Sequence, residues 1–190
     1  MSEAAAAAGV LVTMVPPQSY LDEGTAQFNP SLLNTYADWH PEFAYHGRNC
    51  YAYVLAAAAP STFSLVTVQL YESWSRADEA MLRRPDEAPA YLQALYARLV
   101  RGWTVDFGAS LPRARGPTAV RVRPSQLVVG LAHGGLGGKM TWVPPAAAAK
   151  AYRAAPAHAR PRGYAFWNIK LEGSGANGTE TPFNFAPTLN

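Results

Sequence analysis

Four side chains in this sequence could handle a polar ligand together. Three sit in the run Val68-Gln69-Leu70-Tyr71-Glu72-Ser73-Trp74. If it is a strand, alternation points Gln69 and Tyr71 one way and Val68 and Leu70 the other, with Glu72 just beyond. An amide, a phenol and a carboxylate at one strand end suit a polyhydroxylated ligand. The fourth is Trp167 in Tyr164-Ala165-Phe166-Trp167-Asn168-Ile169. Its indole has a flat apolar face that can stack on a sugar ring and a ring N–H that can donate a hydrogen bond, although a core tryptophan gives the same pattern.

Other motifs carry less. The glycines of His133-Gly134-Gly135-Leu136-Gly137-Gly138-Lys139-Met140 resemble a phosphate loop, but His133 stands where that loop needs glycine and Met140 where it needs Ser or Thr for magnesium. The same His-Gly-Gly is not an esterase oxyanion loop, because no Gly-x-Ser-x-Gly elbow supplies a nucleophile. His40, His46, His133 and His158 are scattered, with no pair at zinc-ligand spacing, so neither a metal nor a cofactor is expected. Asn177-Gly178-Thr179 is a glycosylation sequon that matters only in a secreted chain.

The candidate residues need elements to position them. Four apolar runs rich in β-branched or aromatic residues, Val10 to Val15, Ser64 to Tyr71, Gln126 to Ala132 and Gly163 to Ile169, read as buried parallel strands. Pro89 to Arg101, with Leu92, Leu95, Tyr96 and Leu99 at helical spacing, and Pro144 to Ala154, opened by proline, read as helices between the later strands. Between Pro16 and Thr62 a long loop is expected, then a crossover helix over Arg48 to Ala59 that turns Tyr51, Val54 and Leu55 inward. Strand, helix, strand, helix argues for βαβ units, hence an α/β fold with a parallel sheet.

The bulk properties agree with one globular unit. The chain has 190 residues, 49% of them apolar, enough for a substantial core. Its formal net charge is +3. Only Arg113, Arg115, Arg121 and Arg123 approach a basic patch, and they flank Gly116-Pro117 in what reads as a solvated loop, so no nucleic-acid partner is expected. Cys50 has no cysteine partner, and a buried, inert thiol is the expectation. The apolar N-terminal run stops at Pro16-Pro17, short of the ~20 residues that span a bilayer, and Glu3 stands where an export signal would be basic. Neither a membrane helix nor a signal peptide is read there, and the compartment stays open. One domain over residues 1–190 is expected, with a polar tail from about Gly173.

At the strand ends the residues resemble a known family. Leu11-Val12-Thr13-Met14-Val15-Pro16 is similar to the fifth-strand "T-M-A-P" segment of glycoside hydrolase family 18, the chitinases. Phe63 to Glu72 resembles the sixth-strand segment ending "Q-x-Y-N". Arg123 to Leu131 resembles the seventh-strand segment, in which a proline turn leads to "V-x-x-G-L-P", and Gly163 to Asn168 the eighth-strand "G-x-M-x-W". The resemblance implies the C-terminal half of a TIM (β/α)8 barrel, strands five to eight. It implies chitin-type oligosaccharide as the partner: Tyr71 on the acetamido carbonyl, Trp167 as the floor beneath the sugar, and Met14 and Gln69 along the wall. Glu72, in place of the family's asparagine or aspartate, completes the candidate substrate-binding set. Pro17 replaces a frequent glutamate, and Ala132 the proline after the seventh strand.

The family cleaves β-1,4-linked N-acetylglucosamine with retention, the substrate's acetamido oxygen acting as nucleophile, an exception to the two-carboxylate scheme. Its proton donor is a glutamate ending a "D-x-x-D-x-D-x-E" motif on the fourth strand, and this sequence contains no such motif. With the first strand this near Met1, no room for a fourth-strand equivalent is expected, and no catalytic residue is assigned. Glu72 and Glu172 form a weak alternative acid pair. The expected function is the sugar-binding half of a chitinase-like site, inactive alone and completed by a missing N-terminal half or by self-pairing. A lectin-like carbohydrate-binding protein is the rival, and an unrelated α/β domain with core aromatics the third reading.

Overall fold

The computed structural model describes residues 1–31, 47–71, 75–84, 87–110, 116–132 and 141–167. The chain is α/β, built on a four-stranded parallel sheet with flanking helices. Helix α1 covers Ser2–Ala7, and β1, Thr13–Met14, leads into a 3-10 turn over Gln18–Leu21. Then follow α2 (Cys50–Ala57), β2 (Leu65–Gln69), α3 (Arg76–Arg83) and α4 (Ala88–Arg101). A hairpin of β3 (Trp103–Val105) and β4 (Thr118–Val120) precedes β5 (Leu127–Ala132), α5 (Pro145–Ala154) and β6 (Gly163–Trp167).

The sheet order is β1-β2-β5-β6, the order of the strands along the chain, with β1 and β6 at its edges. Register defines its two faces. Met14 pairs with Val66, Val66 with Leu127, Val68 with Val129, Val129 with Tyr164, and Leu131 with Phe166. This row packs into the core with Leu92, Leu95, Tyr96 and Leu99 of α4 and Ala148, Ala151 and Ala155 around α5. A fully buried leucine contributes about 1.5–3 kcal/mol relative to an exposed one, so these rows fix which face the helices cover. Thr13, Thr67, Gln69, Gly130, Ala165 and Trp167 form the opposite face.

Local chemistry accounts for the helix boundaries. The Ser75 hydroxyl caps α3 by accepting the Asp78 amide at 3.0 Å, and prolines open α4 and α5. Gly102 ends α4 at φ 91, where a Cβ would lie 2.7 Å from the Val120 carbonyl oxygen. Only glycine meets both demands.

Several expectations need correction. The first strand is Thr13–Met14 alone, and Val10, Leu11 and Val15 are exposed. This edge strand pairs through Thr13 with Leu65 and Met14 with Val66. In α2 the buried residue is Ala52, whereas Val54 is 41% exposed and Tyr51 and Leu55 are half-buried. Apolar residues on every side of this helix give it no sharp inward stripe, so packing against the 3-10 turn chose the face. Part of the region read as a solvated arginine loop is β4, with Arg121 and Arg123 exposed just after it; Arg113 and Arg115 lie outside the described residues. Cys50 is half-buried, and burial pushes its thiol up to about 11, which keeps it protonated and unreactive. The tail from Gly173 and the His133 to Met140 loop lie outside the described residues. No described helix is long and apolar enough to cross a membrane.

Candidate functional site

The site is built where β2, β5 and β6 end. Gln69 pairs with Gly130, and the Leu70 amide continues the ladder by donating to the Gly130 carbonyl at 3.0 Å. Tyr71 follows just past the end of β2, and across β5 Ala132 pairs with Trp167. Leu70 is buried on the helix side, so alternation puts Tyr71 on the face of Gln69 and Trp167. Trp167 and Gln69 thus share one face of the sheet, and Tyr71 follows Gln69 just past the end of β2. Trp167 is 56% exposed and Tyr71 half-buried.

The small residues of β5 make this arrangement possible. A Cβ on Gly130 would stand 3.3 Å from the Gln69 Cα and 3.4 Å from the Thr67 Cγ2, tighter than ordinary packing. Glycine here lets β2 and β5 sit side by side. The Gln69 amide donates to the Val15 carbonyl at 2.9 Å, tying the end of β1 to β2.

Of the five residues expected at the site, Gln69 and Trp167 lie on one face of the sheet and Tyr71 follows β2. Met14 is not with them: it is 4% exposed, in register with Val66, and part of the helix-side core. A residue in register with a core valine must share its face, and the resemblance did not carry that parity. Glu72 and the alternative partner Glu172 lie outside the described residues.

The mouth is held from behind by two networks that the sequence reading missed. Asp22 receives two hydrogen bonds from Arg76, at 2.7 and 3.1 Å, and lies 3.8 Å from Arg48. Next to it, Glu23 pairs with Arg98 at 2.9 Å. Burial raises the Glu23 carboxyl above its ordinary value against the attraction of Arg98. Gln18 joins the same assembly, donating to the Tyr91 hydroxyl at 2.8 Å and accepting the Ala77 amide at 2.9 Å. Together they pin the segment after β1 to α3 and α4. These arginines are far apart in sequence and gave no local signal that Arg48 and Arg76 would meet Asp22 and Arg98 would meet Glu23.

The second network anchors β6. The Tyr164 hydroxyl donates to the Ala148 carbonyl at 2.9 Å and meets the Tyr96 hydroxyl at 2.7 Å. Burial pushes Tyr164 up to about 12, so the phenol stays a donor. Trp167 thus projects from a strand clamped to both α4 and α5. Thr141 closes the other side: its amide donates to the Tyr71 carbonyl at 3.3 Å and its hydroxyl to the Asp78 carboxylate.

Chemically, this mouth offers an exposed indole face, a phenol and a neighbouring amide. Such a set can stack on and hydrogen-bond to a neutral polar ring, and no described acid stands among the three residues. Comparisons with family models, with curated proteins and with solved structures find no match for this chain.

Proposed function

We propose that this chain is the C-terminal half of a family 18 glycoside hydrolase barrel and that it carries the sugar-holding side of a site for N-acetylglucosamine polymers. The observation that carries the reading is that Gln69 and Trp167 lie on one face of a parallel sheet, with Tyr71 two residues beyond Gln69, at the strand ends where barrel enzymes keep their functional groups. Three further facts support it. The strands that carry the four motifs are adjacent and parallel in chain order. From β2 to β5 to β6 each strand begins one residue further along the register, while β1 and β2 begin level, a stagger compatible with the strand tilt of a barrel. The helices whose side chains join the core pack against one face, as on the outside of a barrel.

In this reading Trp167 is the floor under the sugar and Tyr71 the donor to its acetamido carbonyl. Gln69 holds the wall and the end of β1. The proton donor of the family's reaction has no counterpart in the sequence, so these contacts bind without cleaving. The purified chain should turn over no chitooligosaccharide while still binding it. Measurable hydrolysis that disappears in Tyr71→Phe or Glu72→Gln would overturn the assignment of a binding role alone.

A further inference from the structure

The end of the sheet opposite Trp167, where β5 and β6 begin, gathers arginines from three stretches of the chain. Arg121 and Arg123 are exposed on either side of buried Val122, whose amide donates to the Leu99 carbonyl at 2.9 Å, so both leave the same side of the backbone. Arg101, exposed in the last turn of α4, lies beside them, because a Cβ on Gly102 would stand 3.0 Å from the Arg121 Cβ. The Arg123 guanidinium donates to Gln126 at 2.8 Å and to the Pro60 carbonyl at 3.1 Å, and Arg162 reaches the Ser125 carbonyl in the same turn at 3.4 Å. Arg160, two residues before Arg162, donates twice to the Ala155 carbonyl, at 3.0 and 3.3 Å.

Little acid stands against this group. The ion pairs among the described residues use Asp22, Glu23 and Glu87, and none involves these five arginines. Glu3 comes near, accepting the amide of Ala59 beside Pro60 at 2.9 Å. From Phe107 to Leu171 the sequence holds no Asp or Glu. Cations at helix C-termini are favourable in themselves, which accounts for Arg101 on α4 and Arg160 at the end of α5. Arg121, Arg123 and Arg162 belong to no helix, and gathering like charges is unfavourable until an anion shares them.

The chemistry of the patch selects its partner. Guanidinium matches phosphate, and backbone carbonyls fix three of these heads in advance, which suits an ordered array of anions better than a fluid bilayer. None of the exposed large apolar side chains described belongs to these stretches, so the patch carries no wedge for a membrane and no exposed ring to stack on an unpaired base. We infer that this arginine end binds the phosphate backbone of duplex nucleic acid without reading its sequence. The expectation of no such partner weighed only the arginines around Gly116-Pro117, whereas the fold adds Arg101, Arg160 and Arg162 to them. The inference is independent of the sugar reading.

Fluorescence anisotropy with labelled DNA duplexes of two unrelated sequences, over a series of salt concentrations, tests it on the wild-type chain. Both duplexes should bind equally, and four or five phosphate contacts should give a slope of about −4 in log affinity against log salt. Arg123→Gln and Arg162→Gln should each reduce that slope by about one, with Arg84→Gln, whose residue pairs with Glu87 outside the patch, leaving it unchanged. Thermal unfolding checks that each variant is folded, and the wild-type slope stands without them. A wild-type chain that shows no salt-dependent duplex binding overturns the inference. So does equal binding to polyglutamate, which would make the partner an acidic protein segment, or binding to phosphatidylserine vesicles in preference to duplex. Folded Arg123→Gln and Arg162→Gln variants with the wild-type slope would place the contacts elsewhere and overturn it as well.

Discussion

Tyr71 and Glu23 show how differently single residues serve the site. In the proposed site Tyr71 faces the ligand, and removing its hydroxyl deletes one hydrogen bond while keeping the ring. A neutral hydrogen bond is worth a net ~0.5–1.5 kcal/mol, so Tyr71→Phe should weaken chitotriose binding by roughly two- to tenfold. Titration calorimetry reads this, with an unchanged circular dichroism spectrum as control. Glu23 acts from behind. Burial raises its carboxyl above the ordinary 4.5, so the folded chain holds that proton more firmly than the unfolded chain. Its contribution to stability is complete below about pH 4.5 and is lost as the pH climbs through the raised value. Glu23→Gln cannot titrate. Urea unfolding across this range should show the variant gaining on the wild type as pH rises, and parallel curves would contradict the buried state of Glu23.

At the scale of elements, β5 decides whether the mouth forms. Its six residues are buried, and Gly130 lets β2 lie close. Gly130→Val would drive a branched side chain against the Gln69 Cα and the Thr67 methyl. Overpacking of this kind costs about 1–3 kcal/mol, so thermal unfolding should shift down by several degrees. In the proposed site sugar affinity should fall too, because Tyr71 follows the Gln69–Gly130 pair directly.

The sheet was legible in sequence for a physical reason. Strands buried among helices are continuous apolar runs, and three of the four runs pair over most of their length. Helix α4 was equally plain, since Leu92, Leu95, Tyr96 and Leu99 repeat at helical spacing and are all buried. The β3–β4 hairpin was not, because its strands are three residues each and joined by a connection with no tight-turn signature. Within the site, alternation placed Gln69 and Tyr71 together, but Met14 needed the register with Val66, which is set by pairing rather than by composition. The charged clamp of Asp22 and Glu23 with Arg48, Arg76 and Arg98 is wholly tertiary, and nothing local announces it.

For the whole molecule, the governing feature is a parallel sheet with helices packed on one face, while on the other Val128, Gly130 and Ala132 of β5 are buried, Gln69 is half-buried and Trp167 is exposed. In the proposed barrel that second face is the interior, and the exposed end at Trp167 is the mouth. The account stands on those side chains recognising an acetamido sugar. The most direct measurement is a protein-detected NMR titration that follows the indole N–H signals, with triacetylchitotriose and with cellotriose as the sugar lacking acetamido groups. The account predicts saturable shifts of the Trp167 signal with the first sugar, abolished in Trp167→Ala, and far weaker shifts with the second. An unmoved Trp167 signal, or an equal response to both sugars, would contradict it.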